Sequence, residues 1–389
     1  MIPELHITDH IILKIGALLI SLVSNSCSEN TGNHYKYSTT DSTVVYAQRF
    51  KLNRTDSCTI LTITDPWQGA GDIIQEYYLV RREFQNELSA DPSKIITVPV
   101  KKIICMSTTH VAMVHALGQE KTIVAVSGAD LIYNEDISDR IRKGRINDIG
   151  YDSGLNSELI INSSPDLVMI YGIGSESAGY TARINDLGTK VMYNADYLET
   201  DPLGKAEWIK VFGAIFSMEE KADSIFNGIS KSYISLKNII HGEIDTKPVV
   251  LLGMPFRDTW YISPGNSYIS QLISDAGGSY LWENTESSFS MPYSLESVFI
   301  RALKADIWLN TGSLTSKRDI ILLDPRLGSL PPFVNDKLYN NDRRLNGSGG
   351  NDYWESGCIN PQIILKDIAA ILHPGIFPGY QPVYYRKVD

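Results

Sequence analysis

The chain has 389 residues, 43% of them hydrophobic and 21% charged, with a formal net charge of −10 and a pI near 5.3. That is a globular composition, long enough to bury a core and to make two or three domains. It excludes a nucleic-acid binder, which needs a basic footprint to neutralise phosphates. The longest basic cluster, Arg140 to Arg145, is a small solvated patch.

Residues 15–23 read IGALLISLV, an apolar run of signal-peptide length and too short to cross a bilayer. Ser24-Asn25-Ser26-Cys27 follows and resembles a bacterial lipobox, whose cysteine becomes the lipidated first residue of the mature chain. Residues 1–27 are therefore expected to be a lipoprotein signal peptide ending in a lipidated Cys27, and the polar residues 28–43 a tether. None of the cysteines forms a CxxC pair, so no thiolate zinc site is expected; with Cys27 lipidated, Cys58, Cys105 and Cys358 allow at most one disulfide, and none is expected.

Residues 43–95 contain antiparallel-looking strands (VVYAQRFKL, CTILTIT) and read as an extra flap. From residue 95, short continuous apolar runs alternate with helical stretches. The strands are KIICM (102–106), TIVAV (122–126), LVMIY (167–171) and KVMY (190–193); helices are expected over 109–117 and 156–162. Continuous apolar runs suit strands buried on both faces of a parallel sheet. The pattern restarts after residue 247 with PVVLLG (248–253), TWYI (259–262), DIWLN (306–310) and KLY (337–339).

Between the halves, Ser217 to Glu220 has capping-box form, and Ala222, Ile225, Phe226, Ile229, Tyr233 and Leu236 follow at helical spacing. One helix is expected from about Met218 to Ile240. The expected fold is α/β: two lobes with parallel central sheets, joined by that helix, with a ligand cleft between them. The boundaries are 44–216 for the N-terminal lobe with its flap, 217–241 for the linking helix and 242–389 for the C-terminal lobe. An internal echo supports duplication: Glu158, a helical stretch, Asp166 and a strand, then Glu296, a helical stretch, Asp306 and a strand.

The segments KKIICMSTTHVAMVHALGQEKTIVAVS, IGYDSGLNSELIINSSPDLVMIYG, LETDPLGKAEWIKVFGAIF, SLESVFIRALKADIWLN and NDYWESGCINPQIILKDIAAILHP resemble, in order and spacing, a class of periplasmic binding proteins. That class serves ABC importers of iron-siderophore, haem and cobalamin, and its two lobes are bridged by a rigid helix. The resemblance implies a monomeric extracytoplasmic lipoprotein, not an enzyme and without a resident cofactor or metal, that delivers a ferric chelate (siderophore or haem) to a permease dimer. Cobalamin is the alternative ligand. Glu158 and Glu296 match the positions at which the family pairs with permease arginines.

Strand-end loops in such a fold carry the ligand. They are rich in aromatics here, and flat rings suit porphyrins, corrins and catechols. The expected ligand-binding residues are Tyr151, Tyr171, Arg257, Trp260, Tyr293 and Trp354, with Arg343 and Arg344 further candidates for anionic groups. Tyr151, after Gly150 and shortly before Glu158, resembles the haem-ligating tyrosine of haem-binding members, and a phenolate suits ferric iron.

Three other readings have less support. No GxSxG, HExxH or P-loop appears, and Gly172-Ile-Gly174-Ser-Glu-Ser177 lacks the third glycine of a dinucleotide fingerprint. Among the histidines, His110 and His115 lie about 140° apart on a helix, which disfavours a metal pair and leaves His110 a cleft-wall or capping role. A lipoprotein that binds a partner protein or glycan without transport is the third.

Overall fold

The computed structural model describes residues 44–55, 57–85, 90–151, 154–172, 184–185 and 188–389. The expected signal peptide, Cys27 and tether lie outside them, as do Asp152, Ser153 and residues 173–177.

The flap is a four-stranded sheet of β1 (Phe50–Arg54), β2 (Cys58–Thr64), β3 (Ile74–Arg81) and β4 (Ile95–Val98), in that order. Its first two pairs are antiparallel and the last is parallel. Residues 44–48, expected to be strand, are not. Their amides are taken by buried carboxylates instead: Glu207 accepts from the backbone N–H groups of Val45, Tyr46 and Ala47 at 2.7–3.1 Å. Glu199 accepts from those of Gln48 and Arg49 at 3.0–3.2 Å.

The first α/β sheet has order β7-β6-β5-β8-β9 and is parallel throughout. Its strands are β5 (Ile103–Cys105), β6 (Ile123–Val126), β7 (Asn147–Asp148), β8 (Leu167–Ile170) and β9 (Val191–Tyr193). Helices Thr108–Ala116 and Ser157–Ser163 lie within one residue of their expected bounds.

The second half supplies β10 (Val249–Leu252), β11 (Pro255–Phe256), β12 (Thr259–Ile262), β13 (Ser279–Tyr280), β14 (Met291–Ser294), β15 (Ile307–Leu309), β16 (Leu338–Asn340) and β17 (Arg386–Lys387). The second α/β sheet has order β13-β10-β15-β16-β17, parallel except for β17 at the edge. TWYI, expected in this sheet, is β12. It lies at the centre of a separate antiparallel sheet, β11-β12-β14, because residues 291–294 pair with it along its length.

The internal echo has a physical basis. Asp166 ahead of β8 accepts from the amides of Lys101 and Lys102, at 2.8 and 2.9 Å. Asp306 ahead of β15 accepts from the amide of Val249 at 2.8 Å. Each carboxylate pins the start of the neighbouring central strand, β5 in one sheet and β10 in the other.

The linking helix runs Glu219–Glu243, 25 residues, roughly 37 Å at 1.5 Å per residue. It buries Ala222, Phe226, Ile229, Tyr233 and Ile240. Ser217 does not cap it. Ser217 is left-handed (φ 54°) and closes the preceding helix Ile209–Phe216, which leaves Met218 in the N-cap position. The two helices meet closely: a Cβ on Gly213 would lie 2.5 Å from that of Ala222. One continuous apolar core runs from the flap through both sheets and this helix. Cys58, Cys105 and Cys358 are buried free thiols. Among the described residues no helix is long and apolar enough to cross a membrane.

Glu207 is fully buried and also holds Lys210, itself nearly buried, at 2.8 Å. Removing one partner of such a pair leaves an uncompensated buried charge. Glu207→Ala is therefore expected to lower stability by about 3–5 kcal/mol in denaturant titrations; a change below about 1 kcal/mol, within the range of an exposed ion pair, would contradict this role.

Candidate functional site

Strand ends converge on a cleft. The turns after β5, β8 and β9 bring in Ser107–Thr109, Tyr171 and Asp196–Thr200. The turns after β12 and β15 supply Ser263–Ile269 and Asn310 from the other half, and the flap adds residues around Trp67. The open cleft has a volume of about 870 Å³. A second compartment of about 560 Å³ adjoins it, and the two share Ser263, Ile269, Asn310 and Trp354. These sizes suit a bulky ligand.

On the floor, Asp196 is 1% exposed. Thr109 Oγ1 donates to it at 3.4 Å, and Lys205 Nζ lies 3.7 Å from its other oxygen. Burial raises its carboxyl pKa against the opposing pull of Lys205. The Lys205 ammonium also sits 5.4 Å over the Tyr268 ring, a cation–π contact. On the flap side Arg49 pairs with Asp65 at 2.8 Å. Trp67 bridges to Gly172 and packs 5.0 Å from Tyr193. The Tyr197 hydroxyl donates to Gly172 O and accepts from Gln68 N, so the flap is fastened onto the first sheet's cleft edge.

Residues 341–355, after β16, cross from the second half to the first. Glu355 is 2% exposed. Its carboxylate accepts from the backbone N–H groups of Tyr133 and Asn134, at 2.7 and 2.9 Å. Asn346 Nδ2 donates to Ile132 O at 2.6 Å. A Cβ on Gly350 would lie 2.7 Å from Leu131 O, so only glycine fits that approach. Arg344 bonds Asp352 at 2.7 Å and lies 5.2 Å over the Tyr133 ring. This strap carries Trp354, which projects into both compartments while buried Tyr353 props it edge-on at 4.7 Å.

The residues expected from sequence separate into three groups. Tyr171 and Trp354 line the cleft. Tyr151 stands at its rim, 47% exposed, with its hydroxyl accepting from that of Tyr171 at 3.2 Å. Arg257, Trp260 and Tyr293 do not line either compartment. Trp260 is fully buried, donates to Leu252 O at 3.0 Å and packs on Trp308. Tyr293 is its cross-strand partner on β14, and Arg257 sits exposed at the β11–β12 turn. Of the further arginines, Arg344 belongs to the strap and Arg343 is exposed outside the lining. His110 is a core residue beside Phe212, its pKa pushed down to about 3 by burial, and it does not line the cleft.

The surface glutamates occupy equivalent places. Glu158 lies in the first turn of Ser157–Ser163 and Glu296 in the first turn of Leu295–Ala302, both exposed. Glu296 additionally pairs with Arg326 at 3.2 Å. Sequence reasoning missed Trp67, Tyr197, Lys205, Tyr268 and Glu355. The flap sequence does not reveal that it folds over the cleft, and a glutamate in a polar loop reads as solvated. Among the described residues, no group of three or more His, Cys, Asp or Glu side chains is placed to hold a metal ion.

The sequence model of the family described as periplasmic binding protein matches residues 103–345. The chain belongs to that family. Two uncharacterized lipoproteins of Methanocaldococcus jannaschii are similar to it. One is 27% identical over 316 residues, covering 78% of this chain and 72% of the relative. The other is 26% identical over 308 residues, covering 76% and 75%. A possible iron-binding periplasmic solute-binding protein from Staphylococcus epidermidis shares the fold with a TM-score of 0.55 at 19% identity, over 71% of this chain and 99% of that one. A periplasmic heme binding protein from Pseudomonas aeruginosa does so at 0.55 and 15%, over 75% and 98%. An ABC-type Fe3+-hydroxamate transport system structure from Saccharomonospora viridis does so at 0.55 and 17%, over 80% and 98%.

Burial pushes the Glu355 carboxyl up from 4.5 to about 7, against its two amide donors. The folded chain thus binds that proton more tightly than the unfolded one. Its contribution is fully present below about pH 4.5 and is lost as the pH rises through about 7, a change of up to about 3 kcal/mol. Denaturation at pH 5 and pH 8 should show this loss, and Glu355→Gln should reduce it; an unchanged pH slope in the variant would contradict the assignment.

Proposed function

We propose that this chain is an extracytoplasmic, lipid-anchored substrate-binding protein that captures a metal chelate, a ferric siderophore or haem, and hands it to the permease dimer of an ABC importer. The observation that carries this reading is the aromatic cleft between the two parallel-sheet halves, walled by Trp67, Tyr171, Tyr197, Tyr268 and Trp354. Such rings match large planar or ring-bearing ligands, and a cleft bridged by one long helix suits capture and release without chemistry. Membership of the periplasmic binding protein family supports it. So do structural relatives described as iron-binding, heme-binding and Fe3+-hydroxamate transport proteins. The anchor rests on Cys27 behind its apolar run and on relatives described as lipoproteins. Cobalamin is a second reading, favoured by the adjoining compartment beyond Trp354, which gives room for a larger ligand.

Glu158 and Glu296 are the proposed docking residues. Two exposed carboxylates on equivalent helix starts set a register for permease arginines, and the Arg326 pair holds Glu296 in place until docking. Reversing both to Lys is expected to abolish uptake in a reconstituted importer while ligand affinity persists. Unchanged uptake would remove the docking assignment.

The cleft is expected to close only slightly, because the linking helix and the strap both join the halves. Small-angle scattering with and without bound chelate should nearly coincide; a large compaction would contradict a fixed aperture. If haem is the ligand, Tyr151 is the proposed iron ligand, and Tyr151→Ala should abolish the haem absorbance shift.

A further inference from the structure

We propose that the cleft selects a chelate that is neutral or cationic overall and presents amide, hydroxyl or amine donors to its walls, in preference to a carboxylate- or catecholate-rich anion. This rests on reading the chain as a chelate carrier and adds the charge class of its ligand, which ranks a hydroxamate-type siderophore or cobalamin above haem, a dicarboxylate.

The first observation is the balance of charge. Among the described lining residues the cations are Arg49 and Lys205, and the carboxylates are Asp65, Asp196, Glu199 and, in the smaller compartment, Asp342. Neither cation is available. Arg49 is bound to Asp65 at 2.8 Å, and Lys205 lies 3.7 Å from Asp196. Arg386, behind the smaller compartment, is committed to Asp342 at 2.7 Å. An anionic ligand would meet more carboxyl groups than cations and would have to break an ion pair to find a counter-charge. The arginines that the sequence offered for anions stand elsewhere: Arg257 at a hairpin turn, Arg344 in the strap.

The second observation concerns hydrogen bonding. Three acceptor oxygens in the walls have no partner, Asp65 Oδ1, Asn310 Oδ1 and Asp342 Oδ1, and Asp196 Oδ2 has no hydrogen bond beyond the long ion pair to Lys205 at 3.7 Å. Asp196 and Asp342 are 1% and 8% exposed. One unpartnered donor, Asn341 Nδ2, stands against them. Buried acceptors without partners are costly, and a ligand that brings donors relieves them as the walls settle on it. A ligand rich in carboxylates or catecholates brings more acceptors and relieves none. Asn310 lies in the wall common to both compartments, so a donor arm lodged there is read from either side.

The test is a set of equilibrium titrations of the full chain in detergent, followed by absorbance and tryptophan fluorescence. The probes are cyanocobalamin (neutral, amide-bearing), ferrioxamine B (cationic, amide-bearing), haemin (a dicarboxylate) and ferric enterobactin (an anionic catecholate). One of the first two should bind saturably and about 100-fold or more tightly than either of the last two. Asn310→Gly keeps a residue suited to the left-handed backbone there (φ 60°) but removes the acceptor. It should weaken the bound probe by about 10-fold with an unchanged melting temperature. Equal or tighter binding of haemin or the catecholate overturns the charge inference and leaves the carrier reading standing. Unchanged affinity in Asn310→Gly overturns the acceptor role. Failure of all four probes to bind overturns the carrier reading and the inference with it.

Discussion

The carboxylate of Glu355 joins two halves that are otherwise built separately. Each half can complete its own parallel sheet, but the cleft between them is defined only if their relative placement is fixed. The linking helix does this on one side by packing against both. On the other side the strap of residues 341–355 reaches over to the turn at 131–134, and Glu355 meets two consecutive backbone amides there. Those two donors, which cannot rotate away, offset part of the cost of burying that carboxyl, and burial still outweighs them. Trp354, next in sequence, is thereby held in the wall of both compartments.

The same device recurs wherever the chain must be fixed without a regular ladder. Glu207 and Glu199 collect the amides of residues 45–49, where the chain emerges from the expected tether. Asp166 and Asp306 set the first amides of the central strands. Asp367 accepts from the amides of Val383 and Tyr384 and from the hydroxyl of Tyr380, which secures the C-terminal segment. Asp306 takes one backbone donor and each of the others two or more, donors that would otherwise be orphaned. The ligand cleft differs, since its walls retain acceptors without partners, and that contrast gives the cleft its chemical character.

Much of this architecture was legible in the sequence. KIICM, LVMIY and PVVLLG are buried on both faces, so their apolar runs are continuous and mark parallel strands without help from context. The linking helix announces itself through the spacing of Ala222, Phe226, Ile229 and Tyr233. The repeated Glu, helix, Asp, strand pattern reflects real carboxylate-to-amide bonds in both halves. Interactions between distant segments were not legible. TWYI has strand composition, but its partner at 291–294 lies some thirty residues on and draws it into another sheet. Within it, Trp260 faces the core while Tyr261 faces out and lines the smaller compartment, as strand alternation requires. Aromatic content alone had pointed to Trp260. Ser217 has the composition of a cap but the backbone of a helix end. The strap was invisible because Glu355 reads as polar surface until the turn it grips is placed beside it.

The most direct test of the central claim is hydrogen–deuterium exchange of the full chain with and without cyanocobalamin or ferrioxamine B at saturating concentration. If the ligand sits between the halves, protection should rise together at 107–109, 196–200, 263–269 and 353–358, with the outer helices unchanged. Protection confined to one half, or to an outer face, would contradict a cleft-binding carrier.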